Sequence, residues 1–231
     1  MPDYREVYAR HAHRYAALVA HEDHAHALPR ALAARVGSAA HDVVETGAGT
    51  GRVTRILAPM ARTLRAFDAE AAMIEVARET LASHAHVTLG VAPHDALPVP
   101  DGAASLAVEG WAFGHAVGWN PSGWRDDLRR YVDELTRVLR PGGLLVLIET
   151  MGTGVETPFA GGHSLEAFHA EVTGALGFAH EALRTDYAFD TVEEAAETLG
   201  FFFGERMAAK VRAQAWRVVP ECTALYWRVR P

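Results

Sequence analysis

A single cysteine, Cys222, stands in the 231 residues of this chain. That excludes an internal disulfide and fits a reducing compartment. No apolar run approaches the roughly 20 residues of a membrane-spanning helix; Leu144 to Ile148 is among the longest and reads as a strand. Basic charge is in the minority. The 22 Lys and Arg face 29 Asp and Glu, for a net charge of −7, so the basic surface of a nucleic-acid binder is not expected. The polar start Met-Pro-Asp-Tyr-Arg-Glu does not read as a secretory signal, and repeats and low-complexity segments are missing. With 49% hydrophobic residues disorder is not expected. These absences leave a soluble, cytoplasmic, single-domain α/β protein spanning 1–231 as the expectation.

The most informative stretch is Asp42 to Thr54, D-V-V-E-T-G-A-G-T-G-R-V-T. Val43 and Val44 read as a buried parallel strand closed by Glu45. Gly47, Gly49 and Gly51 follow at every second position, and Val53, Ile56 and Leu57 then share one helical face. Glycines between a strand and a helix let the backbone turn tightly and approach a ligand. The dinucleotide fingerprint G-x-G-x-x-G requires its third glycine where Arg52 stands. A nicotinamide-dependent oxidoreductase is therefore disfavoured.

Strands and helices alternate along the chain, which demands a mostly parallel sheet. Tyr4, Tyr8, His11, Tyr15 and Leu18 predict one amphipathic helix, and Leu32 to Val36 a second that stops at Gly37. Strands are expected at 41–46, 63–68, 87–91, 105–109 and 144–149, and helices at 52–60, 70–83 and 124–139, the last ended by Pro141-Gly142-Gly143. Further on, helices are expected at 164–176, 192–199 and up to 212, and strands at 182–189 and 220–229. Phe201-Phe202-Phe203 reads as core or as a dimer contact, which leaves a homodimer open.

The string E-x-G-x-G-x-G resembles motif I of the class I S-adenosylmethionine-dependent methyltransferases. Three further segments extend the resemblance over roughly Asp42 to Thr150: Phe67-Asp68-Ala69 with Ala72 and Met73, His94-Asp95-Ala96-Leu97-Pro98, and the block from Glu134 through Pro141-Gly142-Gly143 to Glu149. Two departures stand out. Alanine replaces the serine after Asp68, and Ser105 occupies the position of a structural Asp before strand four. The resemblance implies a Rossmann-like, seven-stranded, mostly parallel sheet with helices on both faces and the last strand antiparallel. It divides the domain into an N-terminal helical lid (1–38), a cofactor-binding core (39–150) and closing helices and strands (151–231).

It also implies S-adenosylmethionine as cofactor and a small molecule as methyl acceptor. Gly47, Ala48, Gly49 and Gly51 would wrap the methionine portion, with Glu45 orienting the loop or meeting the amino group. Asp68 would bind ribose, 17 residues after Gly51, in the spacing that also suits a helix N-cap. Ala69 and Met73 would flank the cofactor. Asp95 and the Ala96 N–H would meet adenine, although an Asp in such a turn also serves turn geometry. Glu109 and Gly110 end strand four, where open α/β sheets bind ligands.

Among possible lid residues Tyr15, His21 and His24 would face the site. Trp111, Phe113, Trp119 and Trp124 would form an apolar substrate wall, or else serve as packing anchors. His115 is placed to remove a proton from an attacking O–H or N–H, or to act as wall, because methyl transfer needs mainly alignment. His21-Glu22-Asp23-His24 lacks H-E-x-x-H spacing, so no metal is expected. A cofactor-binding protein without transfer activity is the alternative that this pattern leaves.

Overall fold

The computed structural model describes residues 4–159 and 164–231; of the polar start, residues 1–3 lie outside them. One seven-stranded sheet forms the centre. Its strands are β1 (His41–Thr46), β2 (Ala61–Asp68), β3 (Val87–Val91), β4 (Ala104–Gly110), β5 (Leu139–Thr153), β6 (Ala179–Arg184) and β9 (Glu221–Val229), in the order β3-β2-β1-β4-β5-β9-β6. β1 pairs in parallel with β2 and β4, and β9 pairs antiparallel with both β5 and β6. The last strand thus runs against all its sheet partners, as expected. β7 (Tyr187–Ala188) and β8 (Val218–Val219) form a separate small ribbon.

The alternation of strand side chains builds a core on each face. Val43, Leu64, Leu106, Val108, Val146 and Ile148 pack with α3 (Ala27–Val36) and α4 (Arg52–Leu57). Val44, Ala107, Leu145 and Leu147 pack on the other side with α7 (Trp124–Val138) and α8 (Glu166–Ala170). α7 turns Leu128, Val132, Leu135 and Val138 to that core, all at most 1% exposed. Burial of such side chains stabilises by about 1.5–3 kcal/mol each.

Several elements differ from the sequence expectation. The single N-terminal helix is two, α1 (Tyr4–Arg10) and α2 (Ala12–Ala20), broken at His11 with φ −128° and ψ 29°. The chain folds there so that both Tyr8 and Tyr15 reach the sheet's edge. Strand 182–189 is also two pieces, because Asp186 turns the chain: its Oδ1 accepts from Glu221 N at 2.9 Å and from Arg184 Nε at 2.9 Å. Pro141-Gly142-Gly143 lies within β5, whose pairing with β4 shifts register between Ala104 and Leu106 to absorb it. Ser105, in place of the family's Asp, receives Asp42 N on its hydroxyl at 3.1 Å and bonds His41 Nδ1 at 3.1 Å. Its role is to fasten β4 to β1.

Sheet order reverses between β1 and β4, since the chain runs outward to β2 and β3 and then returns to the other side. Open α/β sheets place their ligand crevice at the carboxyl ends of the strands flanking such a point.

Candidate cofactor and acceptor site

A cavity of about 340 Å³ opens at that switch point, within the size range of small-molecule sites. Gly47 and Gly49 follow β1, Asp68 ends β2 with Ala69, Glu70 and Met73 after it, His94 follows β3, and Gly110 ends β4 with Trp111 and Ala112 after it. Arg5 and Tyr8 of α1, Tyr15 of α2, and His115 and Trp119 of α6 (His115–Trp119) close the other side. α1 and α2 thus supply Arg5, Tyr8 and Tyr15 to the cavity at the carboxyl edge of the sheet.

The glycine loop is held from below. Asp68 Oδ2 accepts from Gly49 N at 2.8 Å, and Oδ1 accepts from Glu70 N at 2.8 Å. A carboxylate has about four acceptor sites, so lone pairs remain for a ligand hydroxyl. Burial raises the Asp68 carboxyl above its ordinary range, and the N–H donors oppose that shift. Gly47 has φ +68°, and a Cβ there would sit 2.4 Å from Ala112 Cβ; it lets the loop approach the β4–α6 segment. Gly49 has φ +53°, and its Cβ would meet only Tyr15 Cε1, at 4.0 Å. A side chain at Gly49 would project into the cavity.

Two buried glutamates shape the opposite rim. Glu109 Oε1 accepts from Ala112 N at 2.6 Å and Phe113 N at 3.2 Å, and Glu149 Oε1 accepts from Gly114 N at 2.6 Å. Burial pushes Glu109 up to about 7, and Glu149 rises through burial and the adjacent Glu109. This clamp holds Trp111 at φ +55°, a left-handed conformation that costs about 1–3 kcal/mol for a non-glycine residue. The Arg52 guanidinium stacks 3.9 Å from the Trp111 ring centroid and pairs with buried Glu22 at 2.6 Å.

Of the residues singled out by sequence, Tyr15, Gly47, Gly49, Asp68, Ala69, Met73, Gly110, Trp111, His115 and Trp119 line the cavity. The others do not. Glu45 lies beneath the loop against Thr54, and burial pushes it up to about 8. Ala48 N bonds Phe67 O at 3.0 Å, and Gly51 caps α4 against Leu81. Glu109 acts on backbone N–H groups below the rim. Asp95 faces Arg130 at 3.6 Å, and Ala96 N–H is spent on Pro93 O at 3.4 Å.

The expected placement of His21 and His24 needs correction. His21 stacks on Phe189 at 4.3 Å and its Nδ1–H donates to Ala188 O at 2.9 Å, while His24 is exposed. The turn after α2 carries both away from the cavity. Phe113 is fully buried between His94 and Tyr131, and Trp124 packs on Phe168; both are core. Phe202 is core as well, its ring against Tyr4, Tyr8 and Tyr15.

Arg5, Tyr8, Glu70, His94 and Ala112 were not singled out by sequence as site residues. His94 ends a strand-edge segment that drew attention to Asp95 instead; it bonds Thr46 Oγ1 at 2.8 Å, and burial pushes it down to about 4. Tyr8 was visible only as part of an apolar stripe. Among the described residues no group of three or more His, Cys, Asp or Glu could hold a metal, and no helix is long and apolar enough to cross a membrane.

A glycine loop, an acid at the end of β2 and a crevice at the switch point define an α/β fold whose ligand site lies at the carboxyl edge of the sheet. Residues 44–147 match the family described as Methyltransferase domain. Over 177 residues the chain is 29% identical to a Mycolicibacterium smegmatis protein named "Probable S-adenosylmethionine-dependent methyltransferase", covering 74% of this chain and 58% of that one. Over 110 residues it is 37% identical to malonyl-[acyl-carrier protein] O-methyltransferase of Hahella chejuensis, covering 46% of this chain and 35% of the relative. The solved structure of phosphoethanolamine N-methyltransferase 2 of Haemonchus contortus, in complex with S-adenosyl-L-methionine, aligns with a TM-score of 0.62 at 15% identity. That alignment covers 100% of this chain and 60% of the other, and it shows the shared fold. Over residues 44–147 the chain is thus similar to the methyltransferase domain, and its curated relatives are named as methyltransferases. It spans a little over half of the first curated relative and about a third of the second.

Proposed function

We propose that this chain transfers a methyl group from S-adenosylmethionine to O, N or C of a small molecule by in-line displacement. The observation that carries the reading is the composition of the cavity at the switch point. Loop and acid face it from the β1 and β2 ends, and an aromatic wall of Tyr8, Trp111, His115 and Trp119 faces it from α1, α6 and the end of β4. The residues fit the cofactor, because the open space beside Gly49 admits a ligand backbone and Asp68 retains acceptor capacity for ribose hydroxyls.

When bound, S-adenosylmethionine supplies an electrophilic methyl on a positively charged sulfur. The chain's own contribution is placement. Asp68 anchors the loop, the Glu109–Glu149 clamp sets the Trp111 rim, and Tyr15 and Tyr8 cover the crevice. Holding an acceptor in line against the donor supplies much of the rate, since well-oriented reactants avoid about 7–11 kcal/mol of entropic and reorganisation cost. The acceptor is a small molecule because the cavity is bounded by the α1–α2 lid; nothing in the charge balance favours nucleic acid.

Calorimetric titration with S-adenosylmethionine and NAD tests the cofactor. Only the former should bind. Release of S-adenosylhomocysteine in the presence of a panel of hydroxy acids, phenols and amines then tests transfer. Tight cofactor binding with no product from any acceptor would favour a binding protein without transfer activity.

A further inference from the structure

The lid delivers one polar group into the cavity that placement alone does not explain. Tyr8 Oη lies 2.7 Å from His115 Nε2, across 107 residues of sequence. Both side chains line the cavity. The His115 ring stacks on Trp119 at 4.8 Å and 14°, with Tyr4 at 5.4 Å and Tyr8 at 5.5 Å. Tyr8 is in turn held by Tyr15 at 5.4 Å and Phe202 at 6.2 Å. Aromatic packing thus fixes both rings while the hydrogen bond joins them.

A neutral phenol has one proton to donate, and a neutral imidazole has one donor and one acceptor nitrogen. Burial holds Tyr8 well above its ordinary range, and burial with the nearby His94 holds His115 down at about 4. Tyr8 therefore keeps its proton at neutral pH, and with His115 as the Nδ1–H tautomer that proton is donated to Nε2. A lone His115 base working through Nε2 would find that nitrogen already occupied.

We propose that Tyr8 and His115 form one proton-handling unit, assembled only when α1 lies on α6, in which Tyr8 meets the acceptor and His115 stands behind it. The unit rests on the methyl-transfer reading above. As the bond from the acceptor atom to the methyl carbon forms, the methyl–sulfur pair stays on the departing thioether. The acceptor's proton passes to Tyr8 Oη while the phenolic proton moves to His115 Nε2. The imidazolium returns its proton to water when α1 lifts. A base held this low takes a proton only from a strongly acidic site, such as a hydroxyl oxygen that is being alkylated, so the unit suits an O–H acceptor better than an amine. Its polar surroundings are Tyr4 and Tyr15 of the lid, Arg5 over Trp119 at 4.8 Å, His94, and Glu149 beneath Gly114.

The test is ¹⁵N NMR of the imidazoles in the full chain, with and without S-adenosylhomocysteine, for wild type and Y8F, with His115 assigned from H115Q. The expected result is an Nδ1–H tautomer with Nε2 as acceptor. Y8F should move the His115 titration upward, because a donor that stabilises the neutral ring is gone. An Nε2–H tautomer in wild type, or an unchanged His115 signal in Y8F, overturns the unit. Neither outcome needs an acceptor. Failure of wild type to bind S-adenosylhomocysteine would instead count against the cofactor reading, with the ligand-free tautomer still deciding the pair. Once an acceptor is in hand, Y8F and H115Q should each slow single-turnover transfer by about 10²-fold or more, and the double variant no further. Additive losses would overturn the proposal.

Discussion

Asp68→Ala is the sharpest perturbation of the cofactor site. The carboxylate holds Gly49 N and Glu70 N at 2.8 Å each and, on the reading proposed above, receives ribose hydroxyls. Hydrogen bonds to a charged partner contribute about 1.5–3 kcal/mol. Loss of the ribose contact should therefore weaken S-adenosylmethionine binding by about 10–150-fold, at 1.4 kcal/mol per factor of ten. The variant also leaves two N–H groups without their acceptor, so the melting temperature should fall even without ligand. Asp68→Asn has a particular outcome. Its single amide oxygen can serve one of the two N–H donors, but its NH2 then faces the other, donor to donor. Asn should recover little of the loss. Calorimetry on protein shown to be folded by circular dichroism is the assay. Affinity within about twofold of wild type in Asp68→Ala would refute the assignment of this acid to the ribose.

Gly49→Val should abolish cofactor binding in calorimetry with helical content preserved, because a branched side chain at φ +53° resists the conformation and fills the cavity. Glu22→Ala should destabilise by about 3–5 kcal/mol in denaturant unfolding, because it leaves the Arg52 charge buried without its partner; a loss under about 1 kcal/mol would mean that water reaches Arg52. Burial raises Glu109 to about 7 and Glu45 and Glu221 to about 8, from an ordinary value of 4.5. These groups shed protons more easily unfolded than folded, so their stabilising effect is complete below about pH 4.5 and is lost as pH rises through about 7–8. The melting temperature should fall across that window, and Glu45→Gln should flatten the slope.

Much of the architecture was legible because local chemistry and global fold agree. The β-branched run before Gly47-Ala48-Gly49, the acid at Asp68 and the apolar stripe of α7 each follow from short-range periodicity, which reports how a segment buries one face. β3 and the final strand were read from the same signals, whereas the antiparallel direction of the final strand came from the family resemblance. Periodicity does not report where a chain breaks when both pieces remain apolar. The split at His11 and the turn at Asp186 arise from contacts made by distant residues, Phe202 and Glu221 among them.

The site divides along the same line. Sequence alone determined the residues whose roles come from their own backbone or strand position: Gly47, Gly49, Asp68, Gly110 and Trp111. Tertiary structure decided everything that depends on which element lies opposite. It placed Phe113 and Trp124 in the core, turned His21 and His24 away and buried Glu45 beneath the loop. It also set Tyr8 against His115 across 107 residues. A side chain's type and spacing state what it can do, but the partner that makes it act is chosen by packing, and packing joins residues that the sequence keeps far apart.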